Sequence, residues 1–270
     1  MQVISVLNHK GGVGKTTLTT HIAAGLAIEG AKVLIVDGDS QGNVSDAMGL
    51  VQKGGLFSLL LDDAEWKDVL VTPHKAHWAG DYPADGVLAV LRGNVTTRAI
   101  ASSTDNTLLL RERLNEVKDV FDVVIIDTPP TPTQLHTFFY VASDWVVYPF
   151  IAEQMSVQGL SRSYARLMEF NPIREARGWG TAKVMGAQPM MVQVRTNAHD
   201  YGVGLVVKEF KRQTWNSIPM RTVWRDASWS KKTLFAYANK IKDESAESGL
   251  HEAWALIDRV VKTLKAGQHV

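Results

Sequence analysis

Nine consecutive residues carry the strongest chemical signal in the chain: His9-Lys10-Gly11-Gly12-Val13-Gly14-Lys15-Thr16-Thr17. Glycines at these positions let backbone N–H groups curl inward around phosphate oxygens, with no Cβ in the way. A helix that begins just after them aims its positive N-terminal end at the same anion. Lys15 then reaches the β- and γ-phosphates of a nucleotide, and the Thr16 hydroxyl offers an oxygen to Mg²⁺. The spacing matches G-x-x-x-x-G-K-[ST] except at the first glycine, where His9 stands, and the loop carries a second lysine, Lys10. A purely structural glycine turn would leave both lysines and the threonine unexplained.

A phosphate loop works only between a strand and a helix, and the flanking sequence supplies both. Residues 3–7 form a short β-branched run, and residues 16–29 place Leu18, Ile22 and Leu26 on one helical face. Gly30 falls where a left-handed helix cap is expected. Residues 32–37 read as a second strand, so the unit is a right-handed βαβ with parallel strands. Asp37 ends that strand. Asp39 sits just past it, where a carboxylate can orient or polarise an attacking water.

Further strands are predicted at 86–91, 121–127, 145–148, 184–191 and 215–218, and helices at 108–118, 157–170 and 250–264. Residues 62–86 show no clean period and read as loops with a short helix. The alternation implies an α/β fold, a doubly wound, mostly parallel sheet flanked by helices. No Gly/Ser/Pro linker interrupts 1–270, so one domain is expected, with no N-terminal helix-turn-helix extension ahead of the loop.

The 270 residues are 45% hydrophobic and 21% charged, enough to bury a core and too apolar for a disordered chain. No run of about 18 apolar residues occurs, so no membrane-spanning helix is expected. The chain opens directly on a strand-like run, so no signal peptide is expected and the cytoplasm is the expected compartment. The absence of cysteine excludes disulfides, thiolate zinc sites, cysteine-held iron–sulfur clusters and cysteine nucleophiles. Net charge is +1, but residues 195–232 hold eight basic and three acidic side chains, a local +5. Such a stretch is either a polyanion footprint or a solvated face.

The loop resembles the K-G-G-x-G-K-[ST]-T phosphate loop of the ParA/MinD family of deviant Walker A ATPases, most closely the small ParA-type partition ATPases. Residues 36–43 resemble the family's D-x-D-P-Q-G-N segment, with Ser40 in place of proline. Residues 125–130 resemble its Walker B strand and following switch. Residues 218–221 and 227–231 resemble the late I-P-R and A-P-S-x-G-K stretch, with Met220 in place of arginine and Ser230 in place of glycine. The resemblance implies a Mg²⁺-dependent ATPase in which Asp39 orients the water and Asp127 reaches Mg²⁺ through a water, with Asp37 further out. The implied metal set is therefore Thr16, Asp39 and Asp127. It implies nucleotide contacts from Lys10, Gly11, Gly12, Val13, Gly14, Lys15, Thr16 and Thr17, with adenine covered near Met190, Met191, Pro219 and Met220. It implies an ATP-dependent homodimer in which Lys10 crosses to the partner's phosphates, so Lys10, Lys15 and Asp39 carry catalysis.

Combined with the late motif, the basic stretch suggests DNA bound without sequence preference through Arg195, Lys211, Arg212, Arg221, Arg225 and Lys231. The expected function is then DNA-linked segregation or positioning of a plasmid, chromosome or other cargo on the nucleoid, with a cargo-bound adaptor that stimulates slow hydrolysis. Two other readings stay open. A MinD-like membrane-surface ATPase wants a basic amphipathic tail, whereas Trp254, Ile257, Val261 and Leu264 read more simply as core packing. A metabolic enzyme of the same fold would carry a substrate site not evident here. The remaining tryptophans and histidines, Trp78 and His136 included, read as structural.

Overall fold

A computed structural model describes residues 1–193 and 197–267. Seven strands are present: β1 (Gln2–Val6), β2 (Lys32–Asp37), β3 (Leu70–Val71), β4 (Val87–Leu91), β5 (Val123–Asp127), β6 (Trp145–Phe150) and β7 (Lys183–Pro189). They form one sheet in the order β3-β4-β2-β5-β1-β6-β7. All neighbours run parallel except β3, which pairs antiparallel with β4 at the edge. The strands are near-continuous apolar runs because helices cover both faces, and β5 is buried at every residue.

On one face, α1 (Lys15–Ile28) packs with the helices Leu234–Ala238 and Glu244–Gly267. A Cβ on Gly25 would lie 2.3 Å from Ile257 Cγ1, so the glycine lets α1 and the C-terminal helix approach closely. On the other face lie the helices Leu56–Leu61, Leu109–Asn115 and Leu135–Ala142. The helices Gln154–Ala176 and Asn197–Phe210 close the sheet around β6 and β7.

Strand order positions the site. From β1 the chain crosses outward to β2, β4 and β3; after β5 it crosses to β6 and β7 on the other side. The carboxyl ends of β1 and β5 therefore flank the switch point where open parallel sheets bind ligands. The register brings Val6 and Asp37 level with Asp127 there.

Two local expectations are corrected. Residues 215–218 form no strand. They run beside β7, with Trp215 N–H donating to the Ala187 carbonyl and Ile218 N–H to the Pro189 carbonyl, each at 2.9 Å. Exposed Asn216 and Ser217, then a proline lacking N–H, stop a ladder from forming. Two helices not anticipated from the sequence, Asn197–Phe210 and Thr222–Trp229, also form, the second burying Val223 and Ala227 on one face. The unpatterned 62–86 segment holds two short helices and the edge strand β3.

Candidate functional site

The nine-residue loop joins β1 to α1, as its chemistry requires. Gly12 (φ 75°) and Gly14 (φ 88°) take left-handed conformations that turn the chain around an open cradle. A Cβ on Gly14 would also press on Met190 Cε at 3.0 Å. Lys15 is buried and its ammonium donates to the Lys10 carbonyl at 2.9 Å. Burial lowers its pKa, and the nearby Asp127 and Asp39 carboxylates oppose that shift. Lys10 is half-buried and enters no ion pair among the described residues.

Three carboxylates gather below the loop, as the strand ends suggested. Asp127 accepts from Thr16 Oγ1 at 2.6 Å and from Thr19 Oγ1 at 3.3 Å. Burial pushes its pKa up to about 6, against the pull of the Thr16 hydrogen bond and Lys15. Asp37 is fully buried, with its pKa well above the usual range, first through burial and then through Asp127. Its Oδ2 has no hydrogen-bond partner among the described residues, and its Oδ1 accepts the Asp39 N–H at 3.2 Å. Asp39 is 6% exposed and accepts from the Gln41 N–H and from Asn43 Nδ2. Its own surroundings therefore hold it beside the cradle.

This donor set fits a hard divalent cation. Among the described residues no three His, Cys, Asp or Glu side chains form a cage that would hold a metal alone. A Thr16 hydroxyl with Asp127 and Asp39 behind it suits an ion that keeps several waters and takes the rest of its ligands from substrate phosphates.

His9, at the position of the usual first glycine, is held as a neutral ring. Its backbone N–H donates to Ser163 Oγ, and Tyr140 Oη lies 3.4 Å from its Nε2. Its ring meets that of His136 edge-on at 5.2 Å. His136 Nδ1 accepts the Thr133 N–H and Nε2 donates to the Pro129 carbonyl, pinning the strap after β5. Burial first, then neighbouring positive charge, lowers both pKa values to about 4.

Beside Gly14 and Thr17 opens a cavity of about 770 Å³ lined by Met190, Met191, Pro219 and Met220, the set expected to cover a base. Its far wall holds residues that motif reading passed over: Trp224 and, behind it, Glu252, with Asp46 at the rim. No local pattern marks them, because three separate segments supply them.

The basic candidates do not form one patch. Lys211 and Arg212 are exposed, next to Gln213, which donates to the Val184 carbonyl near the start of β7. The stretch from Ile218 onward lies at the other end of that strand. At about 3.3 Å per residue the two groups are separated by roughly 15 Å. Arg221 is bound to Glu252 at 2.7 Å, and Lys231 to Asp46 at 2.7 Å. Arg225 is exposed and enters no ion pair among the described residues. Arg195 lies outside the described residues. The left-handed residue after the helix Thr222–Trp229 is Lys231 (φ 53°), whereas Ser230 has φ −78°. The glycine-like position of the late motif therefore falls on Lys231 rather than Ser230.

Loop, strand order and buried carboxylates together define a P-loop nucleoside-triphosphate-binding α/β protein. The family described as an AAA domain matches residues 1–175. The chromosome-partitioning ATPase Soj of Treponema pallidum is 32% identical over 223 residues, covering 80% of this chain and 82% of its own. The sporulation initiation inhibitor protein Soj of Bacillus subtilis is 29% identical, covering 82% and 85%. Among solved structures, cobyrinic acid a,c-diamide synthase of Mycobacterium smegmatis, bound to an ATP analogue and magnesium, superposes with a TM-score of 0.75. It is 24% identical and covers 99% of this chain and 96% of its own. The chain belongs to the ParA/MinD family of P-loop ATPases.

Proposed function

We propose that this chain is an ATP-dependent dimerising switch that binds DNA without sequence preference in its ATP state and hydrolyses ATP slowly. The observation that carries the reading is the grouping of Lys15, Thr16 and Asp127 in one glycine-walled loop, with Asp39 beside it. Lys15 leaves the Lys10 carbonyl to neutralise the β- and γ-phosphate oxygens, while the backbone N–H groups of Gly11 to Thr17 cradle them. Thr16, Asp127 and Asp39 would hold Mg²⁺, which when bound would supply charge neutralisation at those oxygens. Asp39 holds the attacking water. Lys10 reaches into the partner protomer's site, and the dimer lasts as long as the triphosphate does.

Met190, Met191, Pro219 and Met220 cover adenine. Arg225 and Lys231, with Lys211 and Arg212 as a separate contact, meet DNA phosphates. The cargo is a plasmid, a chromosome or another body, and a separate cargo-bound adaptor stimulates hydrolysis at the nucleoid. No membrane partner is proposed, and among the described residues no helix is long and apolar enough to cross a membrane.

The test is binding to random-sequence duplex DNA with ADP, with ATP, and with ATP at raised salt. Binding that requires ATP and falls steeply with salt supports the switch, because phosphate contacts release counterions. No binding in any nucleotide state would refute the DNA reading and direct the search to a small-molecule substrate or a lipid surface.

A further inference from the structure

The far wall of the nucleotide cavity is built as a unit that phosphate chemistry does not use. Glu252, with its side chain 13% exposed, divides its carboxylate between two lining residues. Oε1 accepts from Arg221 Nε at 2.7 Å, and Oε2 accepts from the Trp224 indole N–H at 3.1 Å. Arg221 spends only Nε on this bond. Its two Nη groups donate to no other partner among the described residues.

The Trp224 ring is fixed a second time from behind. His21 packs on it at 4.7 Å. His21 Nδ1 donates to the Thr17 carbonyl at 2.7 Å, and Nε2 accepts the Leu234 N–H at 2.9 Å. Thr17 ends the phosphate loop. The indole is thereby tied rigidly to the element that would hold the phosphates.

A flat aromatic face and a cation with spare donors stand beside a phosphate cradle. Such a pair suits a planar heteroaromatic ring with acceptor atoms on its edge, carried on a phosphate chain. We propose that Trp224 and Arg221, jointly held by Glu252, form the base-recognition wall of this site, with Trp224 covering the purine face and Arg221 donating to the purine edge. The proposal rests on the nucleotide reading above, and it assigns Arg221 to the nucleotide rather than to DNA. A guanidinium only donates, so it gains nothing from adenine's amino group but matches the two acceptors O6 and N7 of guanine. Arg221 therefore narrows the preference for ATP over GTP. Glutamine, which both donates and accepts, pairs with the adenine edge instead.

The test is displacement of a ribose-labelled fluorescent ATP from the full chain by ATP, GTP and inorganic tripolyphosphate. Trp224→Leu is expected to weaken both nucleotides about tenfold, the scale of one base–aromatic stack, and to leave tripolyphosphate unchanged. Trp224→Phe restores most of that affinity. Arg221→Gln raises the ATP-to-GTP affinity ratio about fivefold or more, and Glu252→Gln reproduces part of both effects. Unchanged nucleotide affinity in Trp224→Leu with an unchanged ratio in Arg221→Gln would overturn the wall while leaving the nucleotide reading intact. Equal loss of tripolyphosphate in Trp224→Leu would also overturn it, by making the indole a packing strut. Failure of the unmodified chain to bind either ATP or tripolyphosphate would instead sink the parent reading.

Discussion

The Thr16 hydroxyl donates to Asp127 Oδ2 at 2.6 Å, across 111 residues of chain. This bond ties the first turn of α1 to the end of β5, so the two groups proposed to serve one metal are already in contact. Thr16→Ala is expected to lower ATP turnover on the order of 10²-fold, the usual scale for one lost electrostatic contact to the transition state. It also raises the Mg²⁺ concentration needed for half-maximal rate. Thr16→Ser keeps the oxygen and most of the activity. Equal rates for the alanine and serine variants would remove Thr16 from the metal.

Lys15 and Asp39 should separate binding from chemistry. Lys15→Ala removes the cation of the cradle, and tight ATP affinity is expected to vanish in calorimetry. Asp39→Ala leaves the cradle whole. It is expected to bind ATP normally and to remain dimeric for much longer, with turnover near background. Wild-type turnover in Asp39→Ala would assign the water to another group.

The two ends of β7 make different predictions for DNA. Arg225→Glu with Lys231→Glu is expected to cost at least about tenfold in ATP-dependent DNA affinity and to reduce the salt slope by roughly one per lost phosphate contact. Lys211→Glu with Arg212→Glu alters a surface roughly 15 Å away and is expected to have a smaller, independent effect. If the two double variants behave identically, the basic stretch acts as a diffuse field rather than as placed contacts.

His21 is neutral in the folded protein, because burial lowers its pKa from 6.5 to about 4. The unfolded chain takes up a proton near pH 6.5 and the folded chain does so only near 4. The His21 contribution to stability is therefore complete above pH 6.5 and is lost as pH falls toward 4. Its loss follows a slope of at most about 1.4 kcal/mol per pH unit. The buried Asp127, with its raised pKa, acts in the opposite sense between about 6 and 4. The stability difference between the unmodified chain and His21→Asn isolates the histidine. It is expected to shrink steadily from pH 7 to pH 5 in denaturant titrations. A constant difference would mean that the folded ring titrates as it does in the unfolded chain.

Gly25 sets the distance between α1 and the C-terminal helix. Gly25→Ala puts a Cβ within 2.3 Å of Ile257 Cγ1 and is expected to destabilise the fold by about 1–3 kcal/mol. Adding Ile257→Val should recover part of that loss, which a double-mutant cycle measures. Strict additivity would show that the contact relaxes elsewhere.

The phosphate loop was legible because its chemistry is local. Glycines, two lysines and a threonine at fixed offsets between a strand and a helix admit one use, and all lie within nine residues. The parallel sheet was legible for a similar reason, since strands covered on both faces must be apolar throughout. The helices Asn197–Phe210 and Thr222–Trp229 were missed for different reasons: Gly202 and Gly204 lower the helix propensity of the first, whereas the second is short, with only Val223 and Ala227 spaced i, i+4 to mark its buried face. Net charge over residues 195–232 could not show that Arg221 turns to Glu252, that Lys231 pairs with Asp46, or that Lys211 sits at the far end of β7. Sequence alone determined the phosphate chemistry, because it needs only neighbours along the chain. The tertiary structure alone decided the wall of the cavity, because Trp224, Glu252 and His21 meet only after strand crossovers and helix packing bring distant segments together.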